Sequence, residues 1–195
     1  MPKTVEFWFD IGSPAAYLAW TQLPRLAKAT GARIVMKPML LGAVFQAVGN
    51  ATPMAIAPKG AYLMTDLGRY AKRYGVPLGI PRDFPINTMA LMRGALVAEQ
   101  DGKLDAYLAA VYPAIFDKRL PMSDMATVGR VLAEAGFDPA RFAARIAEQP
   151  IKDKLKASTE EAVKRGVFGA PTFFVGEEMF FGQDRLDWVE AAAKG

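Results

Sequence analysis

A serine lies where a strand-like segment meets a long helical one, in Asp10-Ile11-Gly12-Ser13-Pro14. The first N–H groups of a helix have no partners within it and carry partial positive charge, so this position favours an anion. A thiolate held there would accept a hydrogen bond from the Ser13 hydroxyl, and its pKa would fall as cysteine pKa values do at helix N-termini. The alternative is that Ser13 is only an N-cap, with Pro14 at the first helical position.

The thiol for such a site has to come from outside the chain. The 195 residues include no cysteine and no histidine. This excludes disulfides, thiolate or imidazole metal ligands, and the Ser-His and Cys-His forms of nucleophilic catalysis. Thiol chemistry must therefore be imported with a cofactor, and we predict no metal site.

A second candidate is a proline that follows a small residue just before a β-like run, in Gly169-Ala170-Pro171-Thr172. We hypothesise a cis bond between Ala170 and Pro171, a geometry that is costly and usually retained for a purpose. It would turn the backbone N–H and C=O of Ala170 outward, where a peptide-like ligand could pair with them as an added strand. The alternative is a trans proline that blocks a sheet edge.

The third candidate, Phe181 to Leu186, runs from a strand end into the last helix. Gln183 and Asp184 could receive the amino-acid end of a small peptide, with its carboxylate near helix N–H groups and its ammonium near Asp184. The alternative role for Asp184 is a helix N-cap.

The strand and helix patterns predict how these segments come together. The chain opens with a strand at Thr4–Asp10, a helix at Ala15–Thr30 and a strand at Arg33–Pro38. Such a β-α-β unit has parallel strands and a right-handed crossover. Helix-period segments separated by Pro- and Gly-bearing turns then continue to about Leu155, without a strand signal.

After this helical block the pattern changes again. Ser158-Thr159-Glu160-Glu161 is a capping-box pattern, which predicts the start of a helix that ends at Gly166. Strands are predicted at Thr172–Val175 and Met179–Phe181, and an amphipathic helix at Arg185–Lys194.

The whole order predicts an α/β, thioredoxin-like fold (β-α-β … α-β-β-α) interrupted by an inserted all-helical domain. Residues 1–40 and 156–195 would form the thioredoxin-like domain, and residues 41–155 the helical insertion.

Charge and hydropathy restrict the partners. The net charge of +4 is spread along the chain without a run of five like charges, so we expect no nucleic-acid partner, although a mildly positive surface suits an anionic small molecule. The N-terminus lacks the apolar core of a signal peptide, and no stretch of 18 apolar residues occurs. We therefore expect a cytoplasmic protein with no membrane partner.

The ordered motifs resemble those of one family, the 2-hydroxychromene-2-carboxylate isomerases and kappa-class glutathione transferases of the disulfide-bond-forming oxidoreductase-like thioredoxin superfamily. The resemblance extends from Phe7 to about Leu186 and is closer to the isomerases. The motifs that carry it are Phe9-Asp10, Ser13-Pro14, Tyr17-Leu18-Ala19, Gly49-Asn50, Lys59 with Tyr62, Asp66-Leu67-Gly68-Arg69, Tyr74-Gly75-Val76-Pro77, Phe168-Gly169-Ala170-Pro171-Thr172 and Phe181-Gly182-Gln183-Asp184-Arg185-Leu186.

This resemblance implies glutathione as the cofactor, with Ser13 as the catalytic residue that contacts its sulfur. It implies that the backbone of Ala170 pairs with the cysteinyl unit. It also implies Gly182, Gln183 and Asp184 as the γ-glutamyl pocket, and Asn50 and Phe84 as substrate contacts. Our full set of candidate glutathione contacts adds Asn50, Pro171 and Phe181, and our full set of candidate substrate contacts adds Phe45 and Lys59.

The implied reaction is a cis–trans isomerisation of an aromatic unsaturated keto acid by reversible thiolate addition, in a homodimer. One alternative is a kappa-class transferase that conjugates small electrophiles, and another is a non-catalytic glutathione-binding module. A thiol–disulfide oxidoreductase is disfavoured, because Ser13 and Ala16 stand at both positions of the Cys-x-x-Cys pair.

Two departures from the isomerase pattern concern the substrate. Phe45 stands where that pattern has a lysine, and the apolar residues 54–57 stand where it has polar or basic ones. Lys59 and Arg82 are the cations that could replace the lost charge, unless both are solvated surface residues. The natural substrate, the pathway and the choice between isomerase and transferase stay open at this point.

Overall fold

The computed structural model describes residues 2–194. Two short 3₁₀ turns, Pro53–Ala55 and Gln183–Arg185, accompany the strands and helices. The strands are β1 Thr4–Phe9, β2 Arg33–Pro38, β3 Thr172–Val175 and β4 Glu178–Phe181. The helices are α1 Pro14–Thr30, α2 Leu41–Val48, α3 Ala57–Tyr74, α4 Met89–Gln100, α5 Leu104–Phe116, α6 Met125–Glu134, α7 Pro139–Arg145, α8 Gln149–Lys164 and α9 Leu186–Lys194.

The four strands form one sheet in the order β2-β1-β3-β4. β1 is parallel to β2 and antiparallel to β3, and β3 is antiparallel to β4. Helices α2 to α8 separate β2 from β3 along the chain. The predicted thioredoxin-like fold with a helical insertion is confirmed.

Both faces of the sheet are covered, and the alternation of β1 explains how. Successive side chains of a strand point to opposite faces. Phe7, Phe9 and Phe173 belong to the main hydrophobic core together with residues of α1, α4, α5 and α9. Trp8 and Phe174 belong to a smaller cluster on the other face, with residues of α2 and α8. Burial on both faces explains why the second half of β1, Phe7-Trp8-Phe9, is continuously apolar.

Helix α5 lies at the centre of the insertion. Tyr107, Leu108, Val111 and Tyr112 are fully buried in the main core. The helix has 13 residues, and among residues 2–194 no helix is long and apolar enough to cross a membrane.

The predicted helix start at Ser158 is wrong, because α8 begins at Gln149. Ser158 and its neighbour face the connection between β2 and α2 instead of capping a helix. The Ser158 hydroxyl donates to the carbonyl of Pro38 at 2.6 Å, and the Thr159 hydroxyl accepts the N–H of Leu40 at 3.0 Å. The proposed domain division at residues 155 and 156 falls within this continuous helix and stays a prediction.

Candidate active site

A cavity of about 700 Å³ opens at the end of β1, between the first turn of α1, helices α2 and α3, and the segments before β3 and after β4. Of the residues predicted to bind cofactor or substrate, those that line it are Ser13, Phe45, Asn50, Lys59, Phe84, Ala170, Phe181, Gly182, Gln183 and Asp184. Pro171, which was also predicted to contact the cofactor, is buried and does not line the cavity. The fold therefore gathers residues from widely separated parts of the chain around one space.

Ser13 both caps α1 and borders this cavity. Its Oγ accepts the N–H of Ala16 at 3.1 Å and donates to the carbonyl oxygen of Ala170 at 3.1 Å. The first turn of α1 contains no acidic residue, so no carboxylate within that turn competes for its N–H groups. The capping role and a role in holding an anion are thus compatible at one side chain.

The bond between Ala170 and Pro171 is cis, as hypothesised. The Pro171 carbonyl accepts the N–H of Gly182 at 2.9 Å, which joins this segment to the end of β4. Within residues 2–194 the N–H of Ala170 has no hydrogen-bond partner. A peptide-like ligand can therefore pair with it.

The segment after β4 has a backbone that only glycine adopts readily. Gly182 has a φ of 104°, and an added Cβ would lie 2.4 Å from Oδ1 of Asp184. Asp184 lies inside the following 3₁₀ turn and accepts from Arg185 at 2.5 Å, so it is not the N-cap of that turn. The hydroxyl of Tyr74 donates to the Gln183 carbonyl at 3.1 Å, which fixes the segment against α3.

Asn50 joins two loops at the mouth of the cavity. Its Nδ2 donates to the carbonyl of Phe168 at 2.9 Å, and its Oδ1 accepts the N–H of Ala51 at 2.8 Å. The rings of Phe168 and Phe181 lie 4.6 Å apart beside this contact. Asn50 thus holds the loop that leads to Ala170, in addition to lining the cavity.

The opposite wall is apolar with one cation. Its apolar residues are Phe45 of α2, Met54, Ile56 and Phe84. The bond between Phe84 and Pro85 is a second cis peptide bond, which the sequence analysis did not predict. Lys59 lines this wall and forms no ion pair within residues 2–194, whereas Arg82 is not part of the wall.

Asp10 is a cavity-lining residue that sequence reasoning did not assign to the site. Its side chain is buried, and it accepts the N–H of Gly12 at 2.8 Å, the N–H of Leu41 at 2.8 Å and the hydroxyl of Thr88 at 3.0 Å. Burial raises its pKa above 3.8, although these hydrogen bonds act in the opposite direction. The sequence feature that could have identified Asp10 is its position at the end of an apolar strand, because a buried carboxylate requires hydrogen-bond partners.

Asp66 was also missed as an individual site residue, although its motif was noted. It projects from α3 into the cavity lining and pairs with Arg69 at 3.2 Å. Together with Asp184 and Lys59 it gives the cavity charges of both signs. Nothing in the local sequence distinguishes it from a solvated helix residue.

Comparison with known proteins places the chain in a family. The model of the DSBA-like thioredoxin domain matches residues 4–194. The chain belongs to the DSBA-like thioredoxin family. It is 33% identical to 2-hydroxychromene-2-carboxylate isomerase of Sphingobium xenophagum over 193 residues, covering 98% of each chain. It is 24% identical to glutathione S-transferase kappa 1 of Rattus norvegicus, covering 95% of this chain and 88% of that one.

A solved structure of 2-hydroxychromene-2-carboxylate isomerase superposes with a TM-score of 0.87 at 31% identity, covering 97% of this chain and 93% of that one. The predicted resemblance to the isomerases and kappa-class transferases is confirmed by these relatives. The expectation of an enzyme of the isomerase or glutathione-transferase type is confirmed by them as well.

Proposed function

We propose that this chain is a glutathione-dependent cis–trans isomerase of the 2-hydroxychromene-2-carboxylate isomerase type, which acts on an aromatic unsaturated keto acid. The observation that carries the proposal is the contact between Ser13 and Ala170, 157 positions apart in the chain, at the wall of the 700 Å³ cavity. The Ser13 hydroxyl and the N–H of Ala170, which has no hydrogen-bond partner among the described residues 2–194, border the same space at the start of α1. This combination suits a thiolate that belongs to a peptide.

The residues of the cavity fit glutathione in their chemistry. This tripeptide has a thiol, an ammonium group and two carboxylates, so its site needs charges of both signs. Asp184 and Asp66 would hold the ammonium, and the N–H groups at the start of α9 would hold a carboxylate. Ser13 would hold the sulfur, and Ala170 the peptide backbone.

Bound glutathione supplies a thiolate that adds reversibly to the substrate double bond, which then rotates as a single bond before elimination restores it. In this proposal the Ser13 hydroxyl turns from the Ala170 carbonyl towards the sulfur and donates to it. The N-terminus of α1 lowers the pKa of the thiol held there. Phe45 and Phe84 pack against the flat substrate, and Lys59 attracts its carboxylate.

A kappa-class transferase is the second candidate, and the wall formed by Met54 and Ile56 supports it. A wall that is apolar apart from Lys59 suits an uncharged electrophile better than an anionic keto acid. In that reaction the same thiolate displaces a leaving group or adds irreversibly, and glutathione remains in the product.

Binding and product analysis test the proposal. Calorimetry should show uptake of reduced glutathione, and chromatography after incubation with an arylidene-pyruvate should show the other geometric isomer with glutathione unconsumed. A stable conjugate would establish the transferase instead, and the absence of glutathione uptake would contradict both reactions.

The homodimer, the cytoplasmic location and the division into residues 1–40 with 156–195 and 41–155 are part of the same proposal. Light scattering of the purified chain tests the dimer. Fractionation of the producing cells tests the location. Limited proteolysis tests whether the segment 41–155 is released as a unit.

A further inference from the structure

A groove of about 510 Å³ lies on the other side of α2, away from the candidate active site. It is formed by one face of α2, by α8 and by the start of α4. Its apolar part includes Leu40, Ala43, Leu155 and Val163, and we call it the basic groove because of the side chains at its edge. Its volume is that of small-molecule sites, which span about 300 to 1,000 Å³.

The edge of the basic groove is strongly cationic. Arg93, Lys152, Lys156 and Lys164 line it, against a single acid, Glu160. The pair of Lys156 and Glu160 is 3.7 Å apart with both side chains largely exposed, so it neutralises little. Within residues 2–194 the other three cations form no ion pair, and the buried Nε of Arg93 has no hydrogen-bond partner.

Helix α2 separates this groove from the candidate active site. Leu41 and Phe45 line the 700 Å³ cavity, whereas Ala43 and Ala47 line the basic groove. Hydrogen bonds fix the start of the helix on both sides. The Asp10 carboxylate accepts the N–H of Leu41, and the Thr159 hydroxyl accepts the N–H of Leu40. The two spaces are therefore distinct, with a fixed wall between them.

We propose that the basic groove is a second binding site, which takes an organic carboxylate with an apolar body. The apolar floor would bury that body, and the cations at the edge would attract the carboxylate. An uncharged ligand would leave the cations without a partner, and an ammonium compound would be repelled by them. The proposal is independent of the function proposed for the other cavity.

Equilibrium binding of 2-naphthoate and of decanoate to the full chain, with reduced glutathione saturating, tests the site. The first probe is an aromatic carboxylate and the second an aliphatic one, so their affinities show which kind of apolar body the groove accepts. We expect at least one of them to bind, and the neutral 2-naphthamide or decanamide to bind at least tenfold more weakly. Binding that is equal for acid and amide, or no binding of either acid, would overturn the proposal.

Variants on α2 and α8 show whether the probe binds in the basic groove. Ala47→Trp places a large side chain at the groove and should weaken carboxylate binding at least tenfold, as should the double variant Lys152→Gln with Lys156→Gln. Gln46→Trp is the matched control, because Gln46 is an exposed neighbour that lines neither space. If Ala47→Trp binds the probe like the parent chain, the probe lies elsewhere and the proposal fails.

A second copy of the chain is the competing occupant of the basic groove. In that case light scattering would show a dimer that Ala47→Trp dissociates, and the parent chain would not bind either carboxylate, which overturns the proposal. Glutathione uptake measured by calorimetry in the same samples should be unchanged by Ala47→Trp. If the parent chain took up no glutathione, the proposed function would be refuted, and the carboxylate proposal would still be decided by the comparison of Ala47→Trp with Gln46→Trp.

Discussion

Replacing Ser13 with alanine tests the proposed thiolate site most directly. The substitution removes the acceptor of the Ala16 N–H and the donor to the Ala170 carbonyl. Loss of an N-cap costs about 1 kcal/mol, and loss of one further hydrogen bond about 1 kcal/mol more. In a chain of this size we therefore expect the melting temperature to fall by about 4 to 8 °C, with the fold retained.

The effect on bound glutathione should be larger than the effect on stability. A hydrogen bond to a charged group contributes about 1.5 to 3 kcal/mol, and about 1.4 kcal/mol corresponds to one pKa unit. Ser13→Ala should therefore raise the pKa of the bound thiol by about 1 to 2 units. If the thiolate is the reacting species, turnover at neutral pH should fall by roughly 10- to 100-fold.

The assay is titration of the ultraviolet thiolate absorbance of glutathione bound to each variant, followed by turnover at several pH values. Ser13→Thr is the matched control, because threonine keeps both the hydroxyl and the capping function. It should retain most of the pKa depression. An unchanged thiol pKa in Ser13→Ala, in a variant that still binds glutathione, would refute the role given to this hydroxyl.

Three further predictions concern other parts of the molecule. Asp184→Asn should raise the KM for glutathione roughly fivefold, the equivalent of about 1 kcal/mol, with kcat little changed, and steady-state kinetics with an unaltered KM would count against its contact with the ammonium. Gly94→Ala places a Cβ 2.3 Å from the Phe142 ring, so it should destabilise the fold by about 1 to 3 kcal/mol in urea unfolding. Gly68→Ala, which meets nothing within 4 Å, is its control and should not destabilise. Burial raises the pKa of Asp10 in the folded chain above the 3.8 of an unburied aspartate. Between the unfolded and the folded pKa the folded chain therefore binds more protons, so the contribution of Asp10 to stability is lost as pH rises through that window. Asp10→Asn should remove that contribution from the pH dependence of unfolding, and an unchanged dependence would contradict it.

Prediction of the strands from the sequence succeeded where one physical signal dominated. β2 and β3 have the predicted bounds, because short apolar runs between turn residues leave few alternatives. α1 was predicted to within one residue, with Gly31 after it at a φ of 69°. The start of α8 was wrong because polar residues at 158–161 fit a capping box locally, whereas in the fold they face the β2–α2 connection.

The sequence by itself determined the kinds of chemistry that are open to this chain. Without cysteine or histidine it has no thiol or imidazole of its own, and Ser13 followed by Pro14 marks a helix start that suits an anion. These are consequences of composition and of local backbone geometry, so no tertiary information is required.

Only the tertiary structure decided which distant groups meet. The contact between Ser13 and Ala170 and the hydrogen bonds from Leu41 and Thr88 to Asp10 join segments that are far apart in the chain. The separation of the cavity from the basic groove by α2 also depends on how helices pack against the sheet. Local residue patterns do not encode the distances between these groups. Those distances result from the packing of helices on both faces of the sheet, which buries apolar side chains from remote parts of the chain.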